Sequence, residues 1–126
     1  MRALYIPAAL LAGLFALSLL NSRYVDKRTD QWLQILEQVD IAADGEDWDR
    51  AGALAEEVYG SWQEEQFYFH TVVHHDGLDA AETLFLQLLV VCDEEDAAEA
   101  RLHLAELRSQ LRLLAEKEQL SIPNIL

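Results

Sequence analysis

The stretch "AAEARLHLAELRSQLRLL", residues 97–114, has the clearest periodicity in this chain. Its apolar residues recur in steps of three and four, which places them on one face of an α-helix. Arginines lie between them, and those near the carboxyl end suit the negative end of the helix macrodipole. The pattern predicts an amphipathic helix whose buried face contains Ala97, Ala100, Leu104, Leu107, Leu111 and Leu114.

Three earlier segments have the same helical spacing, and no segment alternates in the way that is typical of strands. The breaks fall at "ADGEDWD", "HHDGLD" and "CDEED". Short connections make successive helices antiparallel neighbours, so we expect an all-α fold, a small up-and-down bundle of about four helices after an N-terminal transmembrane helix. The expected core residues of the three segments are Trp32, Leu36, Val39 and Ala43; Trp48, Ala51, Ala55, Val58, Trp62 and Phe69; and Leu78, Ala81, Phe85, Leu88 and Cys92.

Polar residues and glycines at the breaks predict how the helices start and stop. Asp44 or Asp47 is expected to cap the second segment, and Asp79 is expected to cap the third. Gly60 and Ser61 are expected to weaken or kink the second segment. Pro123 should end the last helix near Leu120.

Residues 3–20, "ALYIPAALLAGLFALSLL", contain no charge, and as a helix they would be roughly 27 Å long, close to the thickness of a bilayer core. A cleaved signal peptide is the alternative, but the small-x-small cleavage pattern is poor, so we favour an uncleaved anchor. The expected organisation is an N-terminal membrane anchor at 1–22, a helical bundle domain at 23–120 and an apolar C-terminal tail at 121–126. We expect the tail to pack back onto the bundle through Ile122 and Leu126.

The rest of the chain is strongly acidic, with nineteen Asp and Glu residues between positions 29 and 100 and a single base, Arg50. Such a domain should repel nucleic acid and anionic lipid headgroups. A well-solvated helical surface explains the charge most simply, and the functional alternatives are a basic protein partner or divalent cations. A homo-oligomer is compatible with the modest size of the core.

Three of the four histidines lie together in "HTVVHHD". His70 and His74 are spaced to share one helix face, and His75 and Asp76 are near enough to complete a metal site. The glutamate of an H-E-x-x-H metalloprotease is missing, and histidines also suit a helix carboxyl end without metal. We therefore expect no metal or other cofactor, and we expect His70→Ala with His74→Ala to leave stability nearly unchanged.

No other pattern indicates catalysis. Cys92 is the single cysteine and has apolar neighbours, which favours a buried, inert thiol, and His103 is expected to serve in packing or a surface hydrogen bond. "DGEDWD" lacks the spacing of a calcium-binding EF-hand loop. Since no nucleophile and base can be paired, the sequence predicts a protein that is not an enzyme.

Several weak motifs occur in a fixed order: the apolar N-terminus, the early tryptophans Trp32, Trp48 and Trp62, an H-x-x-L-D junction at 75–79, and the ending "NIL" at 124–126. In this order they resemble short bacterial membrane-anchored helical proteins of a domain-of-unknown-function family with an NIL/NIF-type tail. The resemblance covers nearly the whole chain. It implies an anchored helical domain, and since the family has no agreed activity, no catalytic residue can be carried over from it.

The resemblance also bears on orientation, since it implies a helical domain outside the cytoplasmic membrane. The positive-inside rule points weakly the other way, because Arg23, Lys27 and Arg28 after the apolar run outnumber Arg2 and the amino terminus before it by one charge. Following the resemblance, we expect a single-pass protein of the cytoplasmic membrane with an extracytoplasmic domain. The expected function is a non-enzymatic interaction module that docks another membrane or envelope protein, and the alternative is a metal-binding or metal-sensing module using residues 70–76.

Overall fold

A computed structural model describes the backbone of residues 2–73 and 75–125 and the side chains of residues 3–71, 73 and 75–117. This part of the chain forms helices and contains no strand, so the all-α prediction is confirmed. The helices are α1 (Arg2–Asp44), α2 (Trp48–Glu64), α3 (Gln66–Val72), α4 (His75–Glu94) and α5 (Ala97–Ile125).

The second half of α1 forms an up-and-down bundle with the other helices. It packs against α2 and α5, and α4 packs against the same two helices from the opposite side. Short α3 continues from α2 and contacts α4. We call the end with the α1–α2 and α4–α5 corners the far end, and the end beside residues 21–28 of α1 the near end.

Helix α1 joins the apolar N-terminal segment to the bundle without interruption. The N-terminal part of α1 is long and apolar enough to cross a membrane. Its most apolar stretch of 18 residues is not buried against the bundle. Nothing between Asn21 and Arg28 breaks this helix.

The core contains nearly all the residues that the periodicity indicated. Trp32, Trp62, Phe69 and Phe85 are buried in the near half and contact one another, with ring centroids 5.1–6.1 Å apart in four of their pairs. Two expectations are wrong in detail, because Trp48 is only half-buried against the core and Ala97 is exposed in the first turn of α5. Other buried residues are Val25, Ala42, Val91, Ala115, Ser22 and Thr29.

The two corners at the far end have the same construction. Each ends its helix with a glutamate in the left-handed region, Glu46 at φ 60° and Glu95 at φ 58°. The next amide then bonds to a carbonyl five residues earlier, from Asp47 to the Ala42 carbonyl at 2.8 Å and from Asp96 to the Val91 carbonyl at 3.4 Å. This is the Schellman arrangement, which satisfies the last carbonyls of a helix.

The same corners start the following helices. The Asp47 carboxylate accepts from the Arg50 amide, as expected for the cap of α2, and the Asp96 carboxylate accepts from the Glu99 amide. Asp79 does not cap its helix, because α4 already begins at His75 and Asp79 lies inside it. An earlier start is possible because α3 ends at Val72 and leaves only a two-residue junction.

Two expected helix breaks are also placed elsewhere. Helix α2 runs through Gly60 and Ser61, and the interruption comes at Glu65, between α2 and α3. The Ser61 hydroxyl accepts from Trp32 Nε1 at 2.9 Å and from Arg28 at 2.8 Å. It is therefore engaged with α1 and does not compete for the backbone hydrogen bonds of its own helix.

The backbone of α5 is helical to Ile125, so the expected stop near Leu120 is wrong. Pro123 removes one backbone donor so close to the helix end that little helix follows to be disrupted. The expected packing of Ile122 and Leu126 against the bundle lies outside the described residues.

Candidate docking surface and the histidine junction

The outward face of α4 has no charged side chain between Thr83 and Cys92. This segment of ten residues lies within a chain of net charge −14. The inward positions of this segment, Phe85, Leu88 and Cys92, are buried in the core. The outward positions therefore show solvent an uncharged surface one helix wide.

Two aliphatic side chains lie one turn apart on this face. Leu86 is 45% exposed and Val90 is 56% exposed. With Thr83, Gln87, Val91 and His103 of α5 they line a shallow groove between α4 and α5. We call the surface formed by Thr83, Leu86, Gln87 and Val90 the α4 face. Residues four apart on a helix form one contiguous patch, which is what a partner helix packs against.

Carboxylates lie at the far end of the α4 face. Asp93, Glu94, Glu95 and Asp96 follow it directly and are all exposed. The neighbouring α1–α2 corner adds Asp44, Glu46, Asp47 and Asp49, of which Asp44 pairs with Arg101 at 2.8 Å. Any protein that covers the α4 face therefore meets strong negative potential at one end of it.

No sequence motif marks the α4 face. The available signal was the width of the apolar pattern in α4, because Leu84, Leu86, Leu89 and Val90 exceed what one buried stripe needs. Leu84 and Leu89 pack against the core, which leaves Leu86 and Val90 as the outward excess. The sequence alone does not show which pair is buried and which is exposed.

A polar network joins α1 to α2 in the near half. Arg28 bonds the Ser61 hydroxyl, and its Nε lies 3.2 Å from Glu65 Oε1, an ion pair without hydrogen-bond geometry at that nitrogen. The guanidinium also lies over the Trp32 ring, 5.5 Å from its centroid. These contacts engage the arginine, so the network holds the two helices together.

A second network joins α2 to α4 through one carboxylate. Glu82 accepts from the Tyr59 hydroxyl and from Trp62 Nε1, both at 2.6 Å. The hydrogen bond to Glu82, together with burial, raises the pKa of the Tyr59 hydroxyl. The proton therefore stays on the phenol, and Glu82 serves to satisfy the indole donor of a buried tryptophan.

The histidine cluster lies at the near end, where α3 gives way to α4. His70 Nδ1 is 2.9 Å from His75 Nδ1, and His70 Nε2 is 3.1 Å from the Gln66 side-chain oxygen. Helix α3 ends two residues after His70, and the ring of His70 contacts His75 on the next helix. His74 lies outside the described residues, and Asp76 is exposed in the first turn of α4.

Metal ligands do not gather at this junction in the part of the chain that the structure describes. Within residues 2–73 and 75–125, no group of three His, Cys, Asp or Glu side chains could hold a metal ion. His103 lies away from the junction, half-buried beside the α4 face and 3.5 Å from Glu99. Burial raises the pKa of the Cys92 thiol, which disfavours the reactive thiolate form.

Comparison with known proteins yields one match. A family model described as a domain of unknown function, DUF4363, matches residues 19–125 and so includes the bundle and the end of the apolar run. No curated protein and no solved structure matches the chain.

Proposed function

The chain belongs to DUF4363, a domain of unknown function, and we propose that this protein is a membrane-tethered helical module that docks another membrane or envelope protein and catalyses no reaction. Its N-terminal helix is the tether, crossing the cytoplasmic membrane once, with the bundle on the extracytoplasmic side. The α4 face is the docking surface. The observation that carries the proposal is the exposed pair Leu86 and Val90 on an uncharged helix face of an otherwise acidic domain.

The orientation of the bundle determines which partners can reach the α4 face. Helix α1 continues from the tether into the bundle, and α4 runs alongside the other helices. The α4 face therefore points sideways, parallel to the membrane surface. A helix of a neighbouring membrane protein can lie along α4 over several turns, as in other helix-in-groove contacts.

A second copy of this chain fits the surface poorly. Two copies tethered in one membrane relate by a twofold axis along the membrane normal, so their α4 helices would run parallel. Residues 93–96 of one copy would then face the same four carboxylates of the other. Like charges at an interface cost several kcal/mol, so the partner we propose is a different protein with an apolar helix flanked by basic residues.

Site-specific photocrosslinking in the native membrane tests the proposal. A photoreactive residue at Val90 of the full chain should yield one discrete product heavier than the chain. The matched control is Ile41, an aliphatic residue that is 67% exposed on α1, where no product is expected. Leu86→Glu should abolish the product at position 90 while leaving the helix content unchanged, because the residue is exposed.

The product's composition separates the alternatives. A product containing a second protein whose formation falls with rising salt supports a basic partner. A product of twice the chain's mass would show self-association and overturn the heterotypic docking. Equal crosslinking at positions 41 and 90 would overturn the α4 face as the docking surface.

The alternative, a metal-binding or metal-sensing module, has one supporting observation. Two nitrogen ligands of one tetrahedral metal ion are about 3.4 Å apart when each binds at about 2.1 Å. The Nδ1 atoms of His70 and His75 are 2.9 Å apart, so they would have to separate by only about half an ångström to bind one ion. Zinc-dependent stabilisation of the full chain, measured against chelator, would favour this alternative.

A further inference from the structure

Contacts between side chains fix the position of α3 along the axis of α1. The Tyr68 hydroxyl donates to the Asn21 side-chain oxygen, and the Tyr24 hydroxyl donates to Glu65 at 2.7 Å. The rings of Tyr24 and Tyr68 meet edge to face, 4.9 Å apart. Since Asn21 directly follows the uncharged run that ends at Leu20, these contacts place α3 beside the first turn of α1 after that run.

This position can be compared with the layers of a bilayer. A helix rises 1.5 Å per residue, so residues 21–25 lie within roughly 8 Å of the end of the run. Each headgroup layer is about 5–8 Å deep, the difference between a core of about 30 Å and a total of about 40–45 Å. When α1 spans the membrane, α3 therefore lies at the depth of the phospholipid headgroups.

One side chain on α3 is unsuited to water. Phe67 is 88% exposed, more than Leu4 or Leu14 in the apolar run itself, at 75% and 56%. It lies opposite Phe69, which is buried against Trp32 and Trp62. Aromatic side chains are enriched at the boundary between headgroups and hydrocarbon, where a ring loses contact with water without entering the bilayer core.

The charges at the near end permit close approach to a membrane. Arg23 and Lys27 are exposed there beside the acids Asp26, Glu64 and Asp76, whereas the far end carries two clusters of four carboxylates each. Lysine and arginine side chains can reach lipid phosphates from this depth. The bundle is therefore electrostatically polarised, with its least acidic end towards the lipid.

We propose that α3 is a membrane-contacting foot, with Phe67 inserted among the phospholipid headgroups and Arg23 and Lys27 on their phosphates. The foot rests on the tether of the proposed function and adds a second contact with the same leaflet. Two contacts fix the direction in which the bundle leans, and hence the side on which the α4 face is presented. The foot needs no protein partner.

Spin-label depth measurements on the full chain in vesicles of phosphatidylcholine and phosphatidylglycerol test the foot. Cysteine labels are introduced singly in a Cys92→Ala background at Thr71, on the same exposed face of α3 as Phe67, at Leu14 in the apolar run and at Ile41 near the far end. We expect a label at 71 to be several-fold less accessible to a polar nickel relaxant than one at 41. Phe67→Ser should raise the accessibility at 71 most of the way towards the value at 41, because the contacts of α3 with α1 remain, and Arg23→Gln with Lys27→Gln should raise it less.

The label at Leu14 distinguishes failure of the foot from failure of the tether. A shielded label at 14 together with full polar accessibility at 71 would overturn the foot and leave the tether intact. Polar accessibility at both positions would overturn both. Shielding at 71 that persists in Phe67→Ser would show that the depth comes from the tether alone and would also overturn the foot.

Discussion

The two ends of the bundle are built in different ways. At the far end, the corners are local: a left-handed glutamate, a backbone hydrogen bond to a carbonyl five residues earlier and an aspartate cap, used once after α1 and again after α4. At the near end, the α3–α4 junction depends on contacts between residues far apart in sequence, such as Tyr68 with Asn21 and Gln110 with the Gly77 carbonyl. The far end is held by short-range bonds and the near end by tertiary packing.

The size of the core side chains also differs between the two ends of the bundle. Alanines fill the core towards the far end, including Ala42, Ala43 and Ala51, whereas Trp32, Trp62 and Phe69 fill it towards the near end. Alanines let helices approach closely but bury little area, while each large aromatic buries 150–250 Å² in typical proteins. We therefore expect the near half to contribute most of the stability.

The largest expected effect is that of Trp62→Ala. It removes a fully buried ring that contacts Trp32, Phe69 and Phe85, and it leaves Glu82 without its indole donor. Such truncations cost about 3–5 kcal/mol, whereas Ala51→Gly in the far half should cost about 1 kcal/mol. Urea unfolding of the full chain in detergent, followed by circular dichroism, measures both. Equal losses would contradict the proposed difference between the halves.

A smaller effect is expected from adding one methyl group at the near end. A Cβ at Gly77 would lie 2.5 Å from Leu114 Cδ2, so the buried Leu114 side chain would have to shift to admit alanine. Overpacking costs about 1–3 kcal/mol, which should exceed the gain of about 1 kcal/mol in helix propensity. Gly77→Ala should therefore lower the unfolding midpoint, and Leu114→Val should recover part of the loss.

Gly60→Ala is the matched control for this substitution. Gly60 also lies inside a helix, but a Cβ there has nothing within 4 Å, so alanine should stabilise by about 0.5–1 kcal/mol. If both substitutions raise the stability, the contact with Leu114 does not explain why a glycine is present at position 77.

Gly77 also shows which features the sequence could predict. The helical periodicity identified almost every buried residue, and Asp47 was recognisable as a cap, because both signals depend on residues within a turn or two. "HHDG" has the composition of a turn, yet Asp76 and Gly77 lie inside α4, and the glycine serves contact with a helix about thirty-five residues away. Local composition carries no information about such a contact.

The candidate surfaces were predictable to different degrees for the same reason. The sequence shows that the histidines are clustered, but the contact between His70 and His75 depends on where α3 ends. The exposure of Leu86, Val90 and Phe67 cannot be separated from core hydrophobicity without knowing which helix covers which face. Acidic composition was visible directly, but its concentration at the far end required the fold.

A gain in stability is expected at the far end. Glu46 adopts φ 60°, and this conformation costs a non-glycine residue about 1–2 kcal/mol, more than the 0.5–1 kcal/mol that glycine loses in entropy. Glu46→Gly should therefore stabilise by roughly 0.5–1 kcal/mol. Glu46→Gln removes the charge and keeps the backbone strain, so it isolates the effect of charge. A glycine variant no more stable than the glutamine variant would show that the corner stores no strain.

The smallest expected effect is that of His70→Ala with His75→Ala at the near end. The Gln66 side-chain oxygen can only accept, so His70 Nε2 carries a proton in the neutral ring, and His70 Nδ1 then accepts from His75. The lone pair that a metal would need is already used by a histidine bond. Both side chains are exposed, so removing them should change stability by less than about 0.5 kcal/mol. The melting temperature of the wild type should be the same in zinc and in chelator. A zinc-dependent rise that disappears in the double variant would show that the metal displaces this bond, and it would make the near end a metal site rather than a helix junction.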